Sequence, residues 1–387
     1  MIRDLTDDEA RAALVLKWGQ TEPGVIPAWV AEMDYATADV LTDALVDAVR
    51  ASRTGYPPYE SGGELGRAYS EWAQRHVGHT VDPDHVVPVV DVSQGMRLAL
   101  DVLSEDAPVV LPVPAYPPQL DLAEITGRER VDLVLDPDSE RAGIDLDALE
   151  AALRDGARTL VLTQPHNPWG RVFTRAELER IRDVVVRYGA RVISDEIHAP
   201  LVLPGAEHVP YLSLDGTADH AVALVAASKA FNTAGLKCAQ LVTGDDATRD
   251  RIFAAPMTRN DSWSTLGVVA SVAAYDLGDP WLAALIERLD QQRTLLADLL
   301  AEHLPDARTR PLEATYLAWL DLRAYGHRDP AATCLNRGKV RLAPGHDYHP
   351  GSAGHVRLNI ATSPERLTEI VRRMATALSG QSGMMLR

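Results

Sequence analysis

Cysteine is almost missing from this chain: 387 residues include two, Cys238 and Cys334. That excludes a disulfide framework and a cysteine-rich zinc site, and a reduced, cytoplasmic setting is expected. Long apolar runs are missing as well, and none approaches the ~20 residues that a membrane-crossing helix needs. The opening stretch, MIRDLTDDEARAALVLKWG, is acidic and has no continuous apolar core, so no signal peptide is expected. Positive charge is outweighed, with 38 Lys and Arg against 55 Asp and Glu, a net charge of -17. Such a balance argues against nonspecific nucleic-acid binding and against anionic membranes, while leaving room for a local basic pocket around a small anion. Internal repeats and low-complexity segments are also absent.

What is present is an ordinary globular composition, 46% apolar and 24% charged, on a chain long enough for two lobes. The chain is organised around Ala221 to Gln240. An apolar run, Ala221 to Ala227, reads as a buried strand and delivers Ser228 and Lys229. Lysines normally stay in water. One held at a strand end in a partly desolvated pocket titrates low and serves as a base or imine-forming nucleophile. A strand-end lysine pointing to solvent would explain the same pattern.

Strand and helix patterns alternate through the first two thirds of the chain. Asp39 to Arg50 carries a helical stripe. The loop Thr54 to Gly66 is rich in Pro, Gly and Tyr and presents Tyr56. In VVPVVDVSQGMRLAL a strand-like run meets Ser93, Gln94 and Gly95, and a helix follows whose free N–H groups suit a phosphate. Another strand from Pro108 ends in a proline-stiffened loop with Tyr116. Thr159 to Thr163 is a strand followed by QPHNPWG. Thr174 and Glu177 form a capping box for the next helix. Arg191 to Ser194 is a strand ending in Asp195-Glu196-Ile197-His198, and Gln240 to Thr243 is a further short one. Strands separated by helices predict a parallel α/β sheet, with ligands beyond the carboxyl ends of its strands. That rule gathers Ser93, Tyr116, Asn167, Asp195 and Lys229 around one crevice. After a long helix, roughly Pro280 to His303, Thr315 to Leu322 and His355 to Thr362 alternate as strands do. Ser363 caps a last helix, Pro364 to Leu378. Gln381 to Arg387 reads as frayed.

A lysine, a carboxylate, an amide, an aromatic ring and a phosphate-ready helix end are the parts that pyridoxal phosphate needs. Four motifs, QPHNPWGRVF (Gln164 to Phe173), SDEIHAPLV (Ser194 to Val202), ASKAFNTAGLK (Ala227 to Lys237) and HVRLNIAT (His355 to Thr362), in that order and spacing, resemble the fold-type I pyridoxal-phosphate enzymes, the aspartate aminotransferase superfamily. The likeness runs from WVAEMDY (Trp29 to Tyr35) to RLNIAT. It implies an α/β chain. Residues 46–282 would form a three-layer large domain with a mostly parallel seven-stranded sheet, the pyridoxal-phosphate-dependent transferase fold. Residues 283–387 would form a smaller α+β domain, with an arm, 1–45, packing against it.

The resemblance also implies roles. Lys229 would hold the cofactor and move protons, and Asp195 would pair with the pyridine nitrogen. Asn167 and His198 would lie near the ring oxygen, and Tyr116 would stack on the ring. Ser93, Gln94, Ser228, Lys237 and a partner subunit's Tyr56 would hold the phosphate, implying a homodimer. Arg357 would bind the substrate α-carboxylate, with Asn167 and Ala31 also touching substrate.

WVAEMDY, the DEIH ending and GRVF look like the cystathionine β-lyase subgroup of the MalY/PatB type, where many aminotransferases have tyrosine at the position of His198. β-Elimination from a cysteine conjugate is therefore expected. An aminotransferase is the alternative, and a cofactor-binding regulator without catalysis a third. Three positions depart from the family pattern: Ala226 for a phosphate-binding serine, Lys237 for an arginine, and Trp169, which is bulkier than the usual residue and would shape the substrate pocket. Asp195, Glu196 and His198 could be read as metal ligands, but a metal leaves Lys229 unexplained, so none is expected. His76, His79, His346 and His349 read as surface residues, and Cys238 as a small buried side chain.

Overall fold

The computed structural model describes residues 2–379, so the expectation for Gln381 to Arg387 lies outside the described residues. Seven strands form the central sheet, in the order Val86–Val89, Ala239–Thr243, Ala221–Val225, Arg191–Asp195, Thr159–Thr163, Val109–Val113 and Arg130–Val134. All run parallel except Ala239–Thr243, which is antiparallel to both neighbours. The mostly parallel seven-stranded sheet is thus as expected, and this strand is its one antiparallel member. Parallel neighbours need a crossover, usually a helix. Between Val225 and Ala239 the chain forms only the 3₁₀ turn Ala234–Leu236, and it folds back beside the strand it has just left. Five strands are buried along their whole length. Continuous apolar runs rather than alternating ones are what a sheet covered on both faces demands.

Helices start where the sequence provides caps. The Thr174 hydroxyl and the Glu177 carboxylate close a capping box on Arg175–Arg187, whose Leu178, Ile181, Val184 and Val185 enter the core. Asp39–Arg50 is helical, but its stripe is only partly covered: Leu41 and Ala48 are buried, whereas Val49 is exposed. The helix Val92–Leu103 begins at Asp91, whose side chain accepts from Gln94 N at 2.9 Å. Gly95 lets this helix lie directly on the sheet, because a Cβ there would run into Leu224 Cδ2 and press on Val89 Cγ2. Gly95→Val should therefore cost about 1–3 kcal/mol, read as a lower denaturation midpoint. An unchanged midpoint would mean that the helix can lift without loss.

The long helix Asp279–His303 leads to a second sheet, in the order Ala343–Pro344, His355–Asn359, Leu317–Asp321 and Arg308–Thr309, with the helix Pro364–Leu378 packed nearby. In it Trp319 pairs with Arg357, and directly opposed residues share a face. Near the chain start, Ile26–Pro27 pairs parallel with Val340–Arg341. Lys17 is completely buried and pairs with Asp34 at 2.8 Å, and its Nζ also donates to Glu32 O at 2.9 Å. This pair fixes the WVAEMDY segment between the two sheets.

Candidate active site

Lys229 follows the strand Ala221–Val225 by four residues, and Ala226 and Ala227 before it are buried. Its Nζ donates to Ala31 O at 3.4 Å. Burial pulls the amine down to about 8, and the nearby Arg357 charge adds to the shift. Asp195 ends its own strand and is 4% exposed. Its Oδ1 accepts from Ile197 N at 3.2 Å, and its Oδ2 from Gln119 Nε2 at 2.8 Å. Burial pushes this carboxyl up to about 7, with Glu196 adding and the two donors opposing. Among the described residues no cation forms an ion pair with it.

Asn167 and Arg357 meet across the two sheets: Arg357 Nη1 donates to Asn167 Oδ1 at 3.0 Å, and Nη2 to Trp29 O at 2.9 Å. Arg357 Nε is buried without a partner, and the guanidinium lies 5.0 Å from the centre of the Tyr348 ring. His198 is buried with Nδ1 unpartnered, and burial holds the imidazole neutral, down to about 3. Tyr116 leads into the turn Pro117–Leu120, and burial raises its hydroxyl, although Arg357 opposes that rise. At the start of the helix Val92–Leu103, Ser93 is half-buried and Gln94 exposed, and Asp91 forms an ion pair with Lys237 at 2.9 Å. Lys237 itself sits in left-handed backbone, φ 53°.

Most of the residues singled out in the sequence are thus brought together. Ser228 is half-buried beside Lys229. Tyr56 stands apart, fully exposed. The role expected for Trp169 takes a different form: it is buried, stacks on His166 at 3.9 Å and donates from Nε1 to Pro114 O at 3.0 Å. It borders a separate cleft of about 940 Å³, whose walls include none of Lys229, Asp195, Asn167 or Arg357. His79 and His349 are half-buried rather than exposed. No group of three His, Cys, Asp or Glu side chains among the described residues is placed to hold a metal ion. Cys238 is buried, and burial raises its thiol to about 11.

Sequence reasoning missed several residues. Gln119 lies three positions after Tyr116, and nothing in the loop shows that it reaches Asp195. Asp91 was findable, being an Asp just before a helical pattern. The strap Trp29 to Met33 is gripped at every carbonyl. Asn359 Nδ2 donates to Val30 O and Glu32 O at 2.8 and 2.7 Å. Tyr316 Oη shares Ala31 O at 3.1 Å, and Asn232 Nδ2 takes Met33 O at 3.0 Å.

These residues fit pyridoxal phosphate. One end of the crevice holds a buried carboxylate without a cation, the other a helix N-terminus with Lys237, and Lys229 lies between. Two buried nitrogens, His198 Nδ1 and Arg357 Nε, have no protein partner. Fold and crevice together define a lysine-centred α/β enzyme scaffold. Residues 29–374 match the aminotransferase class I and II family model, and the chain belongs to that family. It is similar to the cystathionine β-lyase of Corynebacterium glutamicum, 35% identical over 96% of this chain and 98% of that one. It is likewise similar to the cystathionine β-lyase PatB of Bacillus subtilis, 34% identical over 94% and 96%. Among solved structures it resembles the PLP-bound C–S lyase of Staphylococcus hominis, with a TM-score of 0.85, 27% identity and coverage of 92% and 91%.

Proposed function

We propose that this protein is a pyridoxal-phosphate-dependent C–S β-lyase that releases a thiol, pyruvate and ammonia from a cysteine S-conjugate of the cystathionine kind. The observation that carries this choice is full-length similarity to proteins named cystathionine β-lyase. Amine transfer, the other chemistry of the family, shares the same residues up to loss of the Cα proton. When bound, the cofactor supplies an electron sink for charge developing at the substrate Cα.

The chain's residues then have distinct tasks. Lys229 anchors the cofactor and, as a free amine, takes the Cα proton. Its depressed affinity for protons keeps much of it neutral near pH 8. Asp195 would present its carboxylate to the ring nitrogen. Asn167 and His198 would serve the ring oxygen, and Tyr116 would flank the ring. The phosphate falls to Ser93, Gln94, Ser228, Lys237 and Tyr56 of the partner subunit, a homodimer being what the exposure of Tyr56 fits. Arg357 grips the α-carboxylate through its fork of donors, held in register by Asn167 and Trp29 O. Ala31, held in the fixed strap, would also touch the substrate. Departure of the thiolate from Cβ leaves 2-aminoacrylate, which water converts to pyruvate and ammonia. No helix among the described residues is long and apolar enough to cross a membrane.

Incubation of the cofactor-loaded protein with cystathionine should release pyruvate without any added 2-oxo acid. Amine transfer that depends on a 2-oxo acid, with no pyruvate formed from cystathionine, would reject the lyase reading.

A further inference from the structure

Asp195 and Glu196 are adjacent, buried carboxylates, and each is served by a glutamine. Gln164 Nε2 donates to Glu196 Oε1 at 3.1 Å. Glu196 also accepts from Ser194 Oγ at 2.8 Å, from Tyr211 N at 2.9 Å and from His208 Nε2 at 3.1 Å. Burial pushes Glu196 up, but these donors, His208 first, leave it lower than usual. Asp195 has far less support: one backbone N–H and Gln119. Gln119 is 2% exposed. A carboxylate only accepts, so the amide must present its NH2 to Asp195. Thr163 Oγ1 lies beside the amide, 2.9 Å from Nε2 and 3.1 Å from Oε1, and can accept from the one or donate to the other, so the carboxylate alone sets the sense of the amide. The helix Val92–Leu103 adds only Met96 Sδ, 3.7 Å from Nε2.

We propose that Gln119 is a positioning residue that keeps the shared proton on the cofactor's ring nitrogen and off Asp195. The inference rests on the cofactor reading above. A donor to a carboxylate stabilises its anion and so lowers its affinity for a proton. The ionisable groups around Asp195 are Glu196, which repels its charge, and Lys229, which favours it; Tyr116 feels the carboxylate in turn. Without Gln119, burial and Glu196 would act on Asp195 with only Ile197 N and Lys229 in opposition. The proton would then move from the ring nitrogen to Asp195 Oδ2, and the ring would lose its positive charge.

The test uses wild type, Gln119→Leu and Gln119→Glu, each loaded with pyridoxal phosphate carrying ¹⁵N in the ring. Wild type should show a protonated ring nitrogen across the neutral range. Gln119→Leu should show the unprotonated signature, with kcat lower by roughly 10- to 100-fold, one to two pKa units of proton affinity, and KM within about twofold. Gln119→Glu keeps the shape and places a second carboxyl beside Asp195. Like charges that close share a proton, and the protonated acid can donate as the amide does. This variant should show the wild-type ¹⁵N signature at low pH and lose it as pH rises. If Gln119→Leu fails to fold, that pH dependence alone decides. A protonated ring nitrogen in Gln119→Leu, a loss in KM only, or a Gln119→Glu signature independent of pH would overturn the proposal and leave the cofactor reading standing. A wild type that takes up no cofactor would overturn both.

Discussion

Lys229→Ala protein prepared with excess pyridoxal phosphate should hold no cofactor covalently, and its turnover should fall by ~10⁴-fold or more, since anchor and proton-transfer base are lost together. No other lysine can take over. Lys17 is buried in its pair with Asp34, Lys237 pairs with Asp91 at the phosphate end, and Lys339 lies in left-handed backbone (φ 55°) after the turn Cys334–Gly338. Borohydride reduction of the wild type followed by peptide mass mapping should tag Lys229 alone. A tag on Lys237, or wild-type turnover in the alanine variant, would sink the assignment. The depressed amine sets the pH dependence as well. A protonated amine is not nucleophilic, so cofactor capture by the apoprotein should speed up as pH rises through about 8 and then level off. A midpoint near ~10.4, the value of an unperturbed lysine, would mean that the pocket does not desolvate the amine.

Asp195→Asn should separate stability from catalysis. The buried carboxyl has a folded-state affinity raised to about 7, whereas the unfolded chain ionises it near ~3.9. Between those values the folded apoprotein binds the extra proton, so this group's contribution to stability falls as pH rises from the lower value to the higher. Above that window the wild-type apoprotein carries a buried charge without a cationic partner. The asparagine variant does not, and should be more stable there by ~1–4 kcal/mol. Its turnover should nonetheless fall by ~10²–10³-fold, because no fixed negative charge faces the ring nitrogen. Thermal unfolding of both apoproteins on either side of neutrality, alongside kcat, reads both effects. An asparagine variant that is less stable at high pH, or that turns over normally, would contradict this role.

Much of the scaffold was legible because its signals are local. The Thr174–Glu177 capping box and the final helix, Pro364 to Leu378, stand where their caps placed them. The residues in the motifs around Asn167, Asp195, Lys229 and Arg357 converge because strand ends of one sheet, and one facing strand of another, must share a crevice. What escaped depends on register between distant elements. Gln119 meets Asp195 only because the turn Pro117–Leu120 sits over that strand's end. The reversal of Ala239–Thr243 hinged on what a short connection could carry. Trp169 read as a substrate wall from its bulk, yet its ring is taken up by His166 and Pro114 O, which no spacing rule reveals.

The strap from Trp29 to Met33 has its own consequence. Its carbonyls are claimed from two sides: Arg357, Asn359 and Tyr316 come from the far sheet and its flank, Lys229 and Asn232 from the segment after the strand Ala221–Val225. Five peptide units thus act as a ruler laid between Arg357 and Lys229. Slippage by a single residue would misalign both ends at once. Trimming the chain back past Tyr35 would remove Met33 and Tyr35 from the core that both sheets share, so the spacing would be lost together with the packing that sets it.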